Sequence, residues 1–408
     1  MKMKETLGGL YQRDGFKTVL ASILSILIGL LLGAVIVVVV AVFSPNITMK
    51  GCWEGVQLVF FGVLSTGRNA AGNLTFGFNP SNLGDLLFRA IPLLMTGLSV
   101  AVAYKTGLFN IGAAGQYLMG TAATLYVALS ISTEVVPAWI VWLLALLAGL
   151  LAGAIWGAIP GLLKATRGIN EVLACIMTNW IAANLVTMFF TDSPLRNMDD
   201  SGKVCYIKPT AVNGVETAKM GLDKIFPNSQ VNGGIIIAIL FAVGVYILLT
   251  KTTLGYELKA CGSNRHAARY AGINDKRNIV LSMAISGALA AGGASLYWLS
   301  GNTEFFWSTY QALPAAGFNG IPVALLAVNN PIAVVFSGIF MAMLDIVGQN
   351  LTGFTAYNEY ITDVIISVIV YLSAFSLVVR MWLTGRKKKE KIPAVQPAEP
   401  AEKGGEDQ

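Results

Sequence analysis

The chain has 408 residues, of which 55% are hydrophobic and only 12% are charged, about half the charged fraction of a typical soluble domain. This composition excludes an ordinary soluble globular protein and favours a protein that lies in a lipid bilayer. We interpret the formal net charge of +6 as a determinant of membrane orientation, with membrane lipid and not nucleic acid as the expected partner.

Ten apolar stretches predict an all-α polytopic membrane protein with about ten transmembrane helices. A helix needs about 20 residues to cross a hydrocarbon core of about 30 Å. The first stretch holds no charge across 25 residues. It is too long for a signal peptide and no small-residue cleavage site follows it, so we expect a retained helix. The predicted spans are 19–43, 85–104, 113–132, 136–159, 171–190, 232–250, 278–300, 313–328, 331–350 and 361–382.

The basic residues predict the orientation of these spans. Twenty of the 28 Lys and Arg residues lie before the first span, in the turns near 105 and 160–168, in the loop 251–277, at the end of the last span and in the tail. Basic residues mark the cytoplasmic side, so both termini are predicted to be cytoplasmic. The loops 44–84 and 191–231 are then external.

The same reading divides the chain into three parts. We predict a cytoplasmic N-terminal segment 1–18, a transmembrane domain 19–382 that includes the cytoplasmic loop 251–277, and a cytoplasmic tail 383–408. The tail is rich in Lys, Glu, Pro and Ala, a composition typical of disorder.

The cysteines and the histidine give no sign of a metal site. The chain has four widely spaced cysteines and one histidine, His266, and no CxxC pair, so we expect neither zinc nor another metal. Cys52 and Cys205 both fall in predicted external loops. They are either joined by a disulfide or two unrelated free thiols.

The first interruption of the apolar pattern lies between the second and third spans. Two glycines and Asn110 break the run at 107–112, and Gln116 follows. Irregular backbone at membrane depth survives only where it is buried in protein or lines a cavity, and transporters place their pathways at such breaks. The alternative is a tight cytoplasmic turn in which Asn110 caps the next helix.

A second interruption precedes the fifth span. Glu171 is predicted to open a helix, where the helix dipole favours a carboxylate. Asn179 lies a little over two turns further on, near the same face, and Asn184 follows. Buried amides need partners in a membrane, so Asn179 and Asn184 either bond to another helix or line a pathway.

A third interruption, PAAGFNGIP at 314–322, contains Asn319. Its Phe-Asn-Gly repeats the Phe-Asn-Ile-Gly at 109–112 but arrives from the opposite side of the membrane. This recurrence suggests an inverted repeat of spans 2–5 and 7–10, with chance similarity as the alternative.

Three further charges fall in or near predicted spans. Arg89 lies near the external interface, where its side chain can reach water. Asp345 lies inside the ninth span, and since a charge at the bilayer centre is costly, it is predicted to face the protein interior or lie nearer the surface. Asp363 begins the tenth span and is predicted to be interfacial.

The loop 251–277 contains a predicted helix of about two turns. Ser263 or Asn264 can cap its start, and Gly272 can end it. So short a helix is marginal alone in water. Its sequence leaves two interpretations equal: a docking element for a cytoplasmic protein, or a solvated connector.

The segments PLLMTGLSVAVAYKTGLFNIGAAGQ, GINEVLACIMTNWIA, ELKACGSNRHAARYAGI and GFNGIPVALLA together resemble a known family. They are similar to the permease subunits of ATP-binding-cassette importers, in the branch for nucleosides and simple sugars, over about 86–375. Ribose-type permeases tend to show an Asp-Leu-Ser-Val-Gly pattern where this chain has Phe109-Asn110-Ile111-Gly112. The different residues here favour nucleosides, with purine nucleosides first.

The resemblance implies a passive subunit with a ten-helix fold like that of vitamin B12 importers, in a bacterial plasma membrane. It implies three partners: a second permease, identical or homologous, a cytoplasmic ATPase that binds the ATP, and an external substrate-binding lipoprotein. The chain contains no GxxxxGK[ST] phosphate loop, so no cofactor and no catalytic residue are expected in it.

The resemblance assigns a role to one group of residues, and the polar interruptions of the spans suggest a role for a second. The segment 257–273 corresponds to the coupling helix that contacts the ATPase, with the residues Glu257, Gly262, Asn264, Arg265, Ala268, Arg269, Tyr270 and Gly272. A translocation pathway is expected near Asn110, Gln116, Glu171, Asn179 and Asn319. The alternatives are a permease for a sugar such as ribose or galactose, or an ion-coupled secondary transporter, for which Asp345 is the one plausible mid-membrane carboxylate.

Overall fold

The structure, a computed structural model, describes residues 14–307, 312–358 and 360–373. Most of these residues are helical. The longer helices are α1 (Asp14–Phe43), α2 (Met49–Phe61), α3 (Pro80–Lys105), α4 (Ala113–Ser130), α5 (Ala138–Arg167), α6 (Glu171–Thr191), α8 (Gly234–Lys251), α9 (Thr253–Ser263), α11 (Asp275–Trp298), α12 (Ala315–Leu326), α13 (Pro331–Phe354) and α14 (Tyr360–Ser373).

Short elements fill the connections. They are the helices α7 (Leu222–Ile225) and α10 (Arg265–Tyr270), 3₁₀ turns at Gly62–Leu64 and Thr210–Asn213, and the strands β1 (Ser65–Arg68), β2 (Leu74–Phe76), β3 (Tyr206–Ile207) and β4 (Phe305–Phe306). Strands β1 and β2 form an antiparallel hairpin, and β3 pairs antiparallel with β4. We call the end of the bundle with the hairpin the hairpin end, and the end with residues 251–277 the loop end.

Each predicted span coincides with a helix, and local signals set the helix ends. Asn79, Asn170 and Asn330 cap α3, α6 and α13 by accepting backbone N–H bonds, which stabilises a helix start. Gly168, with φ of 69°, ends α5 in the left-handed conformation that glycine adopts without strain.

Six helices in the described part of the chain are long and apolar enough to cross a membrane: α3, α5, α6, α8, α11 and α13. Exposed apolar residues on α8, such as Leu240 (63% exposed), fit a lipid-facing surface. The predicted segment 1–18 lies largely, and the tail 383–408 wholly, outside the described residues, as does the end of the last predicted span.

Glycines allow the closest helix contact, between α5 and α11. Gly149, Gly153, Gly157 and Gly161 recur every fourth residue on α5 and face α11. A Cβ atom on Gly153 would lie 2.4 Å from the backbone oxygen of Gly287. Small residues at this spacing let helix backbones approach in a membrane. The central helix of the bundle is α3, whose residues 90–103 are all buried.

The predicted span 313–328 is a short crossing helix. Twelve residues give α12 a length of about 18 Å, less than the hydrocarbon thickness. Ala316 accepts a hydrogen bond from Thr96 of α3, Gly320 packs on the Thr96 backbone, and Val323 contacts Gly97. Ala316, Gly320 and Val323 of α12 thus all lie against Thr96 and Gly97 of α3.

The segment 44–84, predicted only as an external loop, is well structured. Glu54 of α2 lies buried and forms two hydrogen bonds with Arg68 of β1, at 3.0 and 2.7 Å. Arg68 also donates to the backbone oxygens of Gly72 and Phe354. This ion pair therefore ties α2, the hairpin and the end of α13 together.

Candidate functional site

The interruption at 106–112 forms a buried amide cluster between α3, α4, α6 and α11. Asn110 and Gln116 exchange two hydrogen bonds, with the Asn110 nitrogen 2.8 Å from the Gln116 oxygen and the Gln116 nitrogen 3.1 Å from the Asn110 oxygen. The Asn110 amide also approaches the hydroxyls of Ser286 (2.7 Å) and Ser99 (3.2 Å). Asn110 is 0% and Gln116 1% exposed.

Asn179 completes the amide cluster from α6. Its side-chain oxygen accepts the backbone N–H of Gly115, and its side-chain nitrogen donates to the carbonyl of Ile111. Both bonds satisfy backbone groups that the start of α4 leaves unpaired. Asn179 therefore bonds helices together, which was one of its two predicted roles, while Asn184 is exposed and bonds within its own helix.

The predicted capping role of Asn110 is only partly right. Gly112 is the N-cap residue of α4, and no side chain caps it. The Asn110 oxygen instead accepts the Gly112 N–H at 3.0 Å, so it stabilises the turn that leads into α4.

A stripe of polar residues on α11 runs from the loop end to the amide cluster. Asp275, Asn278, Ser282 and Ser286 follow at spacings of three or four residues and are all buried, so they share one helix face. Ser282 bonds the hydroxyl of Thr106. We call these four residues the α11 stripe.

The stripe begins at an ion-pair network with α10. The Asp275 carboxylate accepts hydrogen bonds from Arg265 (2.9 Å) and Arg269 (2.8 Å). One turn further, Asn278 donates to Glu257 of α9 at 3.1 Å. Both loop helices are thus bonded to the same face of α11.

The predicted two-turn helix is confirmed as α10. Asn264, not Ser263, caps it by accepting the Ala267 N–H, and Gly272, with φ of 81°, follows its end. Ala268 is buried under the helix, whereas Tyr270 is 95% exposed. The loop therefore presents an aromatic ring to its surroundings while its arginines bond inward.

Helix α9 was not predicted. Thr252 caps it, and Gly255, Leu258 and Cys261 form its buried face. These three residues recur every third position, a signal that was present in the sequence. A groove of about 630 Å³ lies between α9 and α10 and is lined by residues such as Tyr256 and Ala267.

A close backbone contact joins α9 to the turn that precedes Asn110. A Cβ atom on Gly262 would lie 2.6 Å from the carbonyl oxygen of Lys105, and Gly107, with φ of 71°, lies against Gly262. A side chain at position 262 would force the two segments apart. A displacement of α9 toward this contact would therefore displace residues 105–107 as well.

Two other predicted pathway residues lie apart from the amide cluster. Glu171 opens α6 as predicted and forms an ion pair with Lys164 at the end of α5. Asn319 is half-buried on α12, two residues after Gly317, which packs against Ala114 of α4. The structure thus joins Asn110, Gln116 and Asn179, with Asn319 on a neighbouring helix and Glu171 at the loop end.

The serines and the threonine of this network were missed. Ser99, Thr106, Ser282 and Ser286 are unremarkable in sequence because hydroxyls in membrane helices often bond their own backbone. Only the folded structure, which brings these residues close to Asn110, shows that they belong to the network.

The four cysteines all lie in the described residues and are free thiols. Cys52 is half-buried and Cys205 is exposed. Of the two alternatives for this pair, the structure shows two separate free thiols. The groups of His, Cys, Asp and Glu in the described residues include none that could hold a metal ion.

Comparison with known proteins adds a family and several relatives. The family model described as "Branched-chain amino acid transport system / permease component" matches residues 82–374. The guanosine ABC transporter permease protein NupP of Bacillus subtilis (strain 168) is 32% identical over 80% of this chain and 90% of its own length. The nucleoside ABC transporter permease protein NupB of Lactococcus lactis subsp. cremoris (strain MG1363) is 33% identical over 96% of this chain and 98% of its own.

A third relative has a different substrate in its name. The glucose ABC transporter permease protein TsgB13 of Haloferax volcanii is 31% identical over 66% of this chain and 70% of its own length. No solved structure matches the chain.

Proposed function

The chain belongs to the permease component family of branched-chain amino acid transport systems, and we propose that it is the membrane permease of an ATP-binding-cassette importer that carries nucleosides into the cell. The permease has no ATP site of its own. A separate ATPase binds and hydrolyses the ATP, and the permease converts its movement into alternating access.

The contact between the loop helices and the α11 stripe is the observation that carries this proposal. Helices α9 and α10 present Tyr270 outward and bond inward to Asp275 and Asn278. A force applied to this loop reaches α11 through partly buried, charge-assisted hydrogen bonds, which are stronger than bonds between neutral groups. A solvated connector needs no such attachment.

In this mechanism the ATPase contacts residues 257–273 and pushes on them when ATP binds. The push travels along α11 to Ser282 and Ser286, and through Gly262 to the turn at 105–107. Both routes end at Asn110. Coupling of this kind requires an element with two arrangements, and the amide cluster, whose bonds can exchange, is that element.

The pathway runs close to Asn110, Gln116, Asn179 and Asn319, with Glu171 at its cytoplasmic mouth. Asn110 and Gln116 are buried and bonded to each other, and Asn179 bonds the backbone beside them. The route is therefore closed at their level in this conformation. Opening it replaces amide–amide bonds by bonds to substrate or water. Transient bonds of that kind hold a solute without trapping it.

Nucleosides are the favoured substrates because NupP and NupB, named for guanosine and nucleosides, match most of the chain. A simple sugar is the second candidate, favoured by the name of TsgB13. An ion-coupled secondary transporter is disfavoured, since it would require several carboxylates at mid-membrane.

The proposal includes the assembly and the orientation. Ten spans in an arrangement like that of vitamin B12 importers place both termini and the loop end in the cytoplasm of a bacterial plasma membrane. A second permease, identical or homologous, completes the pathway. An external substrate-binding lipoprotein delivers the solute at the hairpin end.

Uptake competition tests the substrate class. Cells that express the whole importer are given labelled guanosine with an excess of unlabelled purine nucleosides, pyrimidine nucleosides, ribose or galactose. Purine nucleosides are expected to compete most strongly. Competition by sugars but not by nucleosides would assign the permease to the sugar branch instead.

A further inference from the structure

The turn between α12 and α13 holds two residues in a backbone conformation that most side chains disfavour. It consists of residues 327–330, between Leu326 and Pro331. Val328 has φ of 50° and Asn329 has φ of 54°. Asparagine tolerates this left-handed region, whereas a β-branched residue there is a true outlier. Val328 is therefore strained in this conformation.

The same turn contains a buried polar atom without a partner. Asn329 is 6% exposed, and its side-chain oxygen accepts no hydrogen bond from the described residues. Its backbone N–H bonds the carbonyl of Ala324 at 2.8 Å, so the main chain holds the amide in place. A buried acceptor left unbonded is costly, and such groups are rare in native proteins. Two independent costs thus fall on adjacent residues.

Helix α13, on one side of the turn, is firmly anchored. Gly338 packs on the backbone of Leu94 in α3, where an added Cβ atom would lie 3.2 Å from the Leu94 Cα atom. Toward the far end of α13, Asn350 donates a hydrogen bond to the carbonyl of Gly62 at 2.8 Å. Helix α13 is therefore fixed both to the central helix of the bundle and to the hairpin end.

Helix α12, on the other side of the turn, reaches the amide cluster with its far end. Gly317 lies against the start of α4, where an added Cβ atom would lie 2.4 Å from the Cα atom of Ala114. Ala114 is two residues before Gln116 of the cluster. Along the helix axis, Gly317 is about 15 Å from the turn. A change in the dihedral angles of the turn would therefore move α12 most where it meets Ala114.

We propose that the turn 327–330 is a strained hinge, which relaxes when α12 tilts relative to α13 during transport. The movement rests on the proposed function, because the ATP-driven cycle of the importer drives it. In the tilted conformation Val328 leaves the left-handed region and the Asn329 oxygen gains a partner. Strained backbone is found at switch regions, where it contributes to bistability. Here the strain raises the free energy of the present conformation and so eases departure from it.

Paired substitutions at position 328 test the strain. Val328→Gly and Val328→Ala both remove the valine methyl groups, but only glycine adopts a positive φ without strain. In the assembled importer, Val328→Gly is expected to unfold about 2 °C above Val328→Ala. At Val135, an exposed residue outside the left-handed region, the glycine variant is expected to be no more stable than the alanine variant. A midpoint for Val328→Gly no higher than that of Val328→Ala would overturn the strained hinge.

The rate of uptake tests whether the strain matters for transport. Removing the strain stabilises the present conformation and not the tilted one. Val328→Gly is therefore expected to lower kcat for guanosine uptake by about 5-fold relative to Val328→Ala, with little change in KM. A more stable Val328→Gly variant with an unchanged kcat would show that the turn is static and would overturn the hinge.

Spin labels report the movement itself, without any solute. Ala315→Cys on α12 and Phe336→Cys on α13, both at exposed positions, carry the labels in the assembled importer, with Cys52 and Cys205 replaced by serine. Addition of ATP is expected to change the distance between the labels. The change is expected to be smaller when Val328→Gly is also present, because the present conformation is then favoured.

A label pair on two helices that pack tightly is the control. Phe336→Cys on α13 and Tyr104→Cys on α3 are expected to keep their distance when ATP is added. A distance between positions 315 and 336 that ATP leaves unchanged would overturn the hinge. If the importer moves no nucleoside although ATP changes that distance, the substrate assignment fails and the hinge stands.

Discussion

At the loop end, Asn110 is wholly buried and its amide is bonded to Gln116, Ser286 and Ser99. At the hairpin end, Asp345 lies nine residues before the end of α13, is partly buried and forms no ion pair among the described residues. Polar groups that are saturated hold helices together. In this conformation the amides at the loop end are therefore closed to solute and must exchange their bonds to open, whereas the Asp345 carboxylate has no bonded partner to displace in the described part of the chain.

The largest effect is expected at the ion-pair network of the loop end. Replacing Arg265 and Arg269 by Glu leaves the buried Asp275 between two carboxylates and removes the bond from α10 to α11. Uptake is expected to fall by about 100-fold, the scale for breaking a buried hydrogen-bonded charge pair. Initial uptake rates, with the amount of inserted protein measured in parallel, check this.

The double variant Lys276→Glu with Arg277→Glu is the matched control. Both residues are exposed and the change in net charge is the same, so insertion is affected equally. The control is expected to retain most of its uptake. Normal transport by the Arg265/Arg269 variant would remove the role assigned to the loop.

The next largest effect concerns the amide cluster. Asn110→Leu leaves the Gln116 amide and the Gly112 N–H without partners, and each unpaired buried group costs about 1–3 kcal/mol. The thermal unfolding midpoint in detergent is expected to drop clearly. Asn184→Leu, a change of the same type at an exposed position, is expected to be within about 0.5 kcal/mol of wild type; equal losses in both would mean that the cluster contributes nothing special.

Helix packing gives a smaller effect. Gly153→Ala places a Cβ atom 2.2 Å from that of Ala291 and 2.4 Å from the Gly287 oxygen, and overpacking of this kind costs about 1–3 kcal/mol. Gly244→Ala on α8 meets nothing within 4 Å and should be neutral. The difference between the two thermal midpoints measures the contact, and no difference would show that α5 and α11 are not tightly packed.

The smallest effect is expected at the hairpin end, where Glu54→Gln weakens the bond to Arg68 by about 1–2 kcal/mol, as for a hydrogen bond to a charged group. The Arg68 guanidinium holds the pKa of Glu54 below its usual value, although burial opposes this. A depressed pKa adds stability that is present above the unfolded value of about 4.3 and disappears as the pH falls through the folded value.

The stability difference between wild type and Glu54→Gln should therefore be full at pH 7 and shrink at pH 3.5. Asp199→Asn, which removes a partner of Lys208 at an exposed position, is the control and should show little change at either pH. A difference between wild type and Glu54→Gln that does not depend on pH would contradict the ionic role of Glu54.

The helices were predictable because apolar length is written in the sequence, and six of those in the described residues are long and apolar enough to span a membrane. Helix α10 was predictable too, since Asn264 and Gly272 delimit it. The packing of α12 was not, because it depends on Gly317 and Gly320 meeting Ala114 and Thr96 in the fold. Helix α9 was missed because its buried face consists only of Gly255, Leu258 and Cys261.

For the candidate site, the amides were predictable and their partners were not. Asn110, Gln116 and Asn179 stand out against apolar neighbours, whereas Ser99 and Ser286 resemble ordinary residues of membrane helices. Which residues meet is decided by the packing of α3 and α11. Asp345 was predicted to face the protein interior or to lie nearer the membrane surface, and the structure places it, partly buried, nine residues before the end of α13.

Accumulation of guanosine in proteoliposomes tests the central claim most directly. Vesicles that contain this permease with the second permease, the ATPase, the binding protein and internal ATP are compared with vesicles that contain the permease alone. We predict accumulation against a gradient only in the complete vesicles, and only with ATP. Accumulation by the permease alone would contradict the account.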